Sequence, residues 1–295
     1  VSDDGSTDGT REYLQSLNDA RIKIFSQVHN LGIFGNLNYL FSKARAPITQ
    51  ILCQDDRFSS ADSLRSILAI WNSLPDAIAF LRCNHGSEKG SALIAMERDI
   101  LPAIVEPRES DLFFFVFGCI PGNLSNVSIR TSVIEEMGWF RTDLPYAGDF
   151  EFWSRVGRDR PWAISRARVV FVREHPGQAS ATLNKHGELL SQLHVVIGIL
   201  FQKLRERELE PAILRLMATS SYAMQHLDIG LRAGIFGNGW EYFALARKYF
   251  LKSRYFLGSG LSGILYCVSV RGRFYGPTIA RRLIERHRRK ATVVS

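Results

Sequence analysis

The sequence predicts an α/β protein: a mostly parallel sheet flanked by helices, with a helical region from about residue 185 onward. Three observations carry this reading. Short apolar runs at 22–25, 48–53, 77–81 and 169–172 are separated by stretches of helical periodicity, and strands alternating with helices at such spacing form parallel sheets covered on both faces. Two strands end in acid, Asp3-Asp4 and Asp55-Asp56. Beyond 185 the periodicity is helical throughout, which divides the chain into 1–184 and 185–295.

Val1-Ser2 reads as the end of a strand that runs into turn formers and helix N-caps, followed by Tyr13, Leu14 and Leu17 on one helical face. A short strand at 22–25 precedes a helix carrying Leu37, Leu40, Phe41 and Ala44, closed by Pro47. The run 48–53 is the next strand. Leu64, Ile67, Leu68 and Trp71 mark the inward face of a second helix, and 77–81 the strand after it. Residues 84–110 read as a loop or hairpin, and 112–117 is too apolar to be exposed. A short strand at 126–129 leads to a helix in which Ser132 and Glu135 have capping-box spacing and Gly138 is the stop. Phe150, Phe152, Trp153 and Val156 pack a further helix whose start carries Asp149 and Glu151. In the last part, Tyr242, Leu245, Ala246, Tyr249 and Phe256 form an apolar stripe, and Ile279, Leu283 and Ile284 face inward on a final helix crowded with arginine.

A chain of 295 residues can bury a good core. Its formal charge is +8, and eight basic side chains between 271 and 290 stand against Glu285 alone. Such a segment attracts anionic lipid or nucleic acid. No DNA- or RNA-binding signature accompanies it, so no nucleic acid is expected. Cys53, Cys83, Cys119 and Cys267 show no close pairing and mostly sit in apolar runs, as buried thiols of a reducing compartment do. No stretch approaches the roughly 20 strongly apolar residues of a spanning helix. The chain opens on Val1, already within a strand, which reads as a fragment lacking an upstream strand and helix.

Chemistry points to the acidic strand ends. Carboxylates at the carboxyl ends of strands in an open α/β sheet can hold a hard cation that also coordinates a substrate phosphate. A lone Asp-Asp pair is more often a solvated turn that caps the following helix; two pairs at corresponding places are a pattern. Asp4, an acceptor when ionised, can receive a base imide N–H such as that of uracil. Asp56 suits Mg²⁺ or Mn²⁺ bridging a diphosphate.

Val1-Ser-Asp-Asp-Gly-Ser-Thr-Asp-Gly-Thr10, Asn30-Leu-Gly32 with Asn38, Gln54-Asp55-Asp56, and Gly148-Asp149-Phe-Glu151-Phe-Trp153 occur in the order seen in family 2 glycosyltransferases. Over about residues 1–180 the chain resembles that inverting family with its nucleotide-diphospho-sugar transferase fold. The resemblance implies that Asp4 reads the nucleotide base with Asp3 beside it, that Asp55 lies near the ribose, and that Asp56 is the metal-binding aspartate. It makes Asp149 the catalytic base that takes the acceptor hydroxyl proton. His175, in Arg173-Glu-His-Pro-Gly177, resembles a turn near the diphosphate and is a weaker metal or phosphate ligand. Glu151, Trp153, Gly122 and Asn123 are expected on the acceptor side.

Gln54 stands where a strict Asp-x-Asp has its first aspartate, and Leu37 where many members carry a cation. The Gln-x-x-Arg-Trp signature of processive synthases does not occur. The implied activity is transfer of one sugar per encounter from a nucleotide sugar, UDP-sugar favoured, to a glycan or lipid-linked acceptor in cell-surface polysaccharide synthesis. Residues 241–290 suggest an anionic membrane surface as a further partner, with the enzyme cytoplasmic or peripheral on the inner face. The rival reading is a non-catalytic nucleotide-binding or membrane-surface scaffold.

Overall fold

The computed structural model describes residues 1–86, 92–173, 175, 187–237, 240–268 and 275–294. A five-stranded sheet lies at its centre, in the order β3 (Ile48–Gln50), β7 (Val127–Arg130), β5 (Phe80–Arg82), β8 (Trp162–Ile164), β6 (Ile104–Val105). Two small ladders flank it: β1 (Ser2–Asp3) with β2 (Phe25–Ser26), and β4 (Arg57–Phe58) with β9 (Val170–Phe171). Helices cover these layers, so the α/β architecture with a helical C-terminal region is as the sequence predicts.

The strand directions are not mostly parallel. Only β1–β2 and β5–β8 run parallel, whereas β3–β7, β5–β7, β6–β8 and β4–β9 are antiparallel. Two of the four antiparallel pairings come from β7, which enters between β3 and β5 and pairs Ile129 with both Thr49 and Phe80. Nor do the two acidic strand ends leave one sheet. Two residues of β1 are in strand geometry and they bond β2, while β3 bonds β7.

Helix α1 (Thr10–Ser16) begins after Gly9, whose φ of 87° is left-handed, with Asp8 accepting from the Thr10 amide at 3.2 Å and its hydroxyl at 2.7 Å. Tyr13, expected inward, is exposed; Leu14 and Leu17 are partly buried. In α2 (Gly32–Lys43) Phe34 and Phe41 reach the core. In α3 (Ser63–Ser73) Ile67 and Trp71 do, and Trp71 Nε1 donates to Ser128 Oγ of β7 at 2.7 Å. Leu64 and Leu68, assigned by periodicity to the same inward face, are exposed because the buried seam is a single i, i+4 row.

Residues 84–110, expected as a loop or hairpin, instead hold α4 (Ala92–Ile100), β6 and the start of α5 (Pro107–Phe117). Pro107 at the first helical position marks that start. Helix α5 buries Leu112, Phe113, Phe114, Phe115 and Val116, and a helix apolar on every side shows no period to read. In α6 (Thr131–Met137) the N-cap is Arg130, so Ser132 lies inside the helix and the expected capping box is not formed; Gly138 ends it at φ 77°. Next comes α7 (Gly148–Asp159).

The helical region comprises α8 (Glu188–Glu206), α9 (Pro211–Ala218), α10 (Met224–Phe236), α11 (Trp240–Ala246), α12 (Ser259–Val268) and α13 (Tyr275–Val294). π-Helical turns at Thr219–Ala223 and Arg247–Leu251 follow α9 and α11. One apolar cluster runs through both parts of the chain, from Phe34 and Phe80 through Phe115 to Phe201, Leu283 and Ile284. Tyr222 donates to the Phe114 and Phe115 carbonyls at 3.3 and 3.1 Å, tying the helical region to α5. All four thiols are free. Cys83 is buried, Cys53 and Cys119 half-buried, and Cys267 exposed rather than buried because it lies on the outer part of α12. No helix among the described residues is long and apolar enough to cross a membrane.

Candidate active site

Two acidic loops and one helix start carry the charged side chains of the site. In the first loop Asp3 is buried, its Oδ1 accepting from Ser6 N at 3.1 Å and its Oδ2 from Arg11 Nε at 3.3 Å. These bonds, led by Ser6, hold its carboxyl below the usual range. Asp3 thus fastens its loop. Asp4, next to it, accepts at Oδ1 from Leu31 N at 2.8 Å, and Asn30 Oδ1 accepts from Gly32 N at 2.8 Å. The Asn-Leu-Gly segment is thereby folded against Asp4 at the start of α2. Asn38 exchanges two bonds with the Phe140 backbone, at 2.8 and 3.0 Å, which fixes α2 against the chain entering α7.

The second loop follows β3. Cys53 N donates to Ser125 Oγ at 2.8 Å, and Asp56 N to Cys53 O at 3.1 Å, turning the chain so that Asp55 is half-exposed and Asp56 buried. The β4–β9 ladder then carries the segment after β9 back to these carboxylates. Arg173 N donates to Asp56 Oδ1 at 3.0 Å, and His175 Nε2 lies 3.2 Å from Asp55 Oδ2. Asp56 Oδ2 is buried and has no hydrogen-bond partner among the described residues. A buried carboxylate oxygen left bare is costly. An ordered water or a hard divalent cation would satisfy it. The fit is that of a single carboxylate anchor, since no group of three or more His, Cys, Asp or Glu converges among the described residues. Gln54 points to solvent, and Pro176-Gly177 of the His-Pro-Gly segment lie outside the described residues.

Asp149 sits in the first turn of α7. Its Oδ1 accepts from Phe150 N at 2.7 Å, and Cys119 Sγ donates to its Oδ2 at 3.7 Å. Burial pushes its carboxyl up from 3.8 to about 6, against the lowering effect of those two donors. Burial, then the nearby Asp149 charge, pushes the Cys119 thiol well above its ordinary value, so the thiol stays protonated and donates. The start of α7 is held from the helical region: Gln192 Oε1 of α8 accepts from Tyr146 N at 2.8 Å and Ala147 N at 3.0 Å. Phe34 covers Gly148 so closely that a Cβ there would lie 2.7 Å from its ring.

The loop between Cys119 and Ser125 links the two carboxylate centres. Gly122 N donates to Cys119 O at 3.0 Å, Gly122 adopts φ 63°, and Asn123 Oδ1 accepts from Ser125 N at 2.7 Å. Gly122 is exposed and Asn123 half-exposed, so both border open space. Trp153 does not: it is fully buried against Phe80, Phe140 and Phe152, which removes it from any acceptor surface. Glu151 is buried too, its carboxylate held by Arg155 at 2.8 and 3.0 Å; Arg155 also bonds the Met137, Gly138 and Trp139 carbonyls. Glu151 is therefore committed to closing the chain between α6 and α7.

Sequence reasoning missed Cys119, Ser125, Gln192 and Asn84. Asn84 stands at φ 60°, a left-handed position that asparagine tolerates, and ties β9 to the turn that precedes β7. It does so through the Val169 N–H, the Val170 carbonyl and Asn126 Oδ1, at 2.8, 2.6 and 3.1 Å.

A helix-flanked sheet with acidic loops of this kind is an α/β fold. Residues 1–122 match the model of glycosyl transferase family 2. That match contains Asp3, Asp4, Asp55 and Asp56 and stops short of Asp149 and His175. Among solved structures, S. aureus TarS 1-349 in complex with UDP aligns at a TM-score of 0.50 with 14% identity, covering 98% of this chain and 81% of that one. A longer S. aureus TarS structure aligns at 0.49 with 13% identity, covering 95% of this chain and 48% of that one, so the chain spans about half its length. At 14% identity the likeness to TarS 1-349 is one of fold. No curated protein matches the chain.

Proposed function

We propose that the chain is an inverting glycosyltransferase. It would move a sugar from a nucleotide-diphosphate donor, UDP-sugar favoured, to a hydroxyl of a glycan or lipid-linked acceptor in cell-surface polysaccharide synthesis. On this reading it is of the hexosyltransferase type. Residues 1–184 form its catalytic part and 185–295 a helical part that steadies α7 through Gln192. The observation that carries the reading is the bare, buried Oδ2 of Asp56 beside the Asp55–His175 pair. The match of residues 1–122 to glycosyl transferase family 2 and the UDP held by the TarS structure support a nucleotide-sugar donor.

Asp4 would receive the base N–H with the carboxylate oxygen that Leu31 does not use, and Asp55 would lie toward the ribose. Asp56 would hold Mg²⁺ or Mn²⁺, with His175 close by through Asp55. When bound, the ion neutralises charge on the departing nucleoside diphosphate. Asp149, ionised above about pH 6, takes the acceptor hydroxyl proton while that oxygen attacks the anomeric carbon on the face opposite the diphosphate. The glycosidic bond forms, the carbon–phosphate-oxygen bond breaks, and the diphosphate leaves with the electron pair. Gly122 and Asn123 would border the acceptor.

The reading is tested by incubating the chain with a panel of nucleotide sugars and acceptor glycans and assaying nucleoside diphosphate release, with Asp149→Asn as control. Release that requires both acceptor and Asp149 supports it. Absence of release with every donor, or release unchanged in Asp149→Asn, contradicts it.

A further inference from the structure

We propose that the hairpin of α10 and α11 is a membrane-docking element whose apolar end inserts into the surface of an anionic phospholipid bilayer. The proposal rests on the hairpin's own side chains and does not depend on the catalytic reading. A Cβ on Gly230 would lie 2.7 Å from Phe243 Cα, and one on Gly234 would lie 2.6 Å from the Trp240 ring. Glycine at both positions therefore lets the two helices touch, antiparallel, as one stiff unit. At its end Phe236 is 87% exposed, Ile235 59% and Trp240 53%. A cluster of large apolar side chains left in water at one place marks a binding surface.

Cations stand behind that end. Arg247, Lys248 and Lys252 line one groove with Trp240, Phe243 and Ala244. At the helical rise, Arg247 lies roughly 10 Å along the axis from Trp240, about the depth to which an interfacial helix buries its apolar side. Arg247 and Lys252 are exposed and make no ion pair or hydrogen bond among the described residues, and Lys248 lies 5.3 Å from the Tyr249 ring. The acids of the hairpin do not cancel them. Asp228 is paired with Arg232 at 2.8 Å and accepts from Tyr266 at 2.9 Å, and Glu241 is itself engaged.

Charge complementarity selects the occupant. An anionic bilayer offers hydrocarbon to the end of the hairpin and phosphate to the cations behind it, whereas nucleic acid would use the cations alone and leave Phe236 and Trp240 in water. The site is also distinct from the arginine-rich α13, where Arg286 is paired with Glu210 at 2.7 Å and Arg288 with Glu109 at 3.0 Å.

The test is co-sedimentation of the full chain with vesicles of phosphatidylcholine alone or mixed with phosphatidylglycerol, at physiological ionic strength. Binding to the anionic vesicles is expected, and Phe236→Ser with Trp240→Ser should lower it at least tenfold. Replacing Arg247, Lys248 and Lys252 by Gln should lower it roughly a hundredfold, at about fivefold per cation near an anionic surface. The triple change of Arg281, Arg282 and Arg289 to Gln should leave most of it. Phe236 and the six basic side chains are exposed, but Trp240 also packs on Gly234, so Phe236→Ser alone, with its fold checked by circular dichroism, is a separate arm and should lower binding several-fold. No binding to anionic vesicles, or binding that only the α13 variant reduces, would overturn the proposal. So would self-association of the chain, abolished by the Phe236 and Trp240 changes, in place of vesicle binding.

Discussion

The Cys119 thiol donates to Asp149 Oδ2 at 3.7 Å, and it comes from a loop thirty residues away that also carries Gly122 and reaches Cys53 through Ser125. A thiol is a weak donor, so it orients the carboxylate while leaving it basic. Replacing it should move the acidic limb of the pH–rate profile in opposite directions. Cys119→Ser, a stronger donor, lowers the apparent pKa, and Cys119→Ala, which removes the donor, raises it, each by up to about one unit. Profiles of kcat for the three proteins check this, and a common limb would mean that the thiol does not touch the working carboxylate.

If Asp149 is the base of the proposed reaction, it couples activity to stability. Its folded-state value of about 6 exceeds the ordinary 3.8. The folded state thus holds this proton more tightly than the unfolded chain, and the contribution, fully present below about pH 4, is lost as pH rises through about 6. Asp149→Asn should therefore lose turnover by about a hundredfold or more. It should also be more stable than the parent at pH 8 by roughly 1–3 kcal/mol, with the advantage vanishing near pH 4. Denaturant melts at the two pH values measure it.

Gly148 is a packing requirement. With the Phe34 ring 2.7 Å from its virtual Cβ and the Arg141 carbonyl 3.0 Å away, Gly148→Ala must displace one of them. A loss of about 1–3 kcal/mol is expected. Because Asp149 is adjacent, kcat should fall with it; Phe34→Leu in the same chain should restore part of both. Urea melts and steady-state assays of the single and double variants test this.

The Glu151–Arg155 pair is structural, so its loss should register in stability and not in the pH profile. Glu151→Gln leaves Arg155 among three carbonyls with a neutral partner and should cost about 1–3 kcal/mol. A kcat–pH curve of unchanged shape is expected. A displaced limb would return Glu151 to the chemistry.

The acidic loops were legible because adjacent carboxylates at strand ends are not what an apolar strand requires, whereas Asp149, in the first turn of α7, was singled out only through the resemblance of the motifs around it. Glu151 and Trp153 could not be placed from that pattern, since both share the first turn and a half of α7 with Asp149, and only packing against Phe140 and Arg155 decides which face is which. The antiparallel entry of β7 was hidden for a similar reason: Val127 and Ile129 alternate in the same way whichever direction the strand runs. Helix α5 escaped notice because burial on all sides erases its period. Gln192 and Cys119 act through hydrogen bonds to segments far off in the chain, a relation that no local signal encodes.

The most direct measurement is calorimetric titration of the chain with UDP, with and without Mn²⁺, repeated on Asp56→Ala. With its buried Oδ2 bare, Asp56 should make UDP binding metal-dependent, and the variant should lose the metal-dependent part while remaining folded. Binding of UDP that is indifferent to both Mn²⁺ and Asp56, or no binding of UDP, GDP or dTDP by the folded chain, would contradict the account.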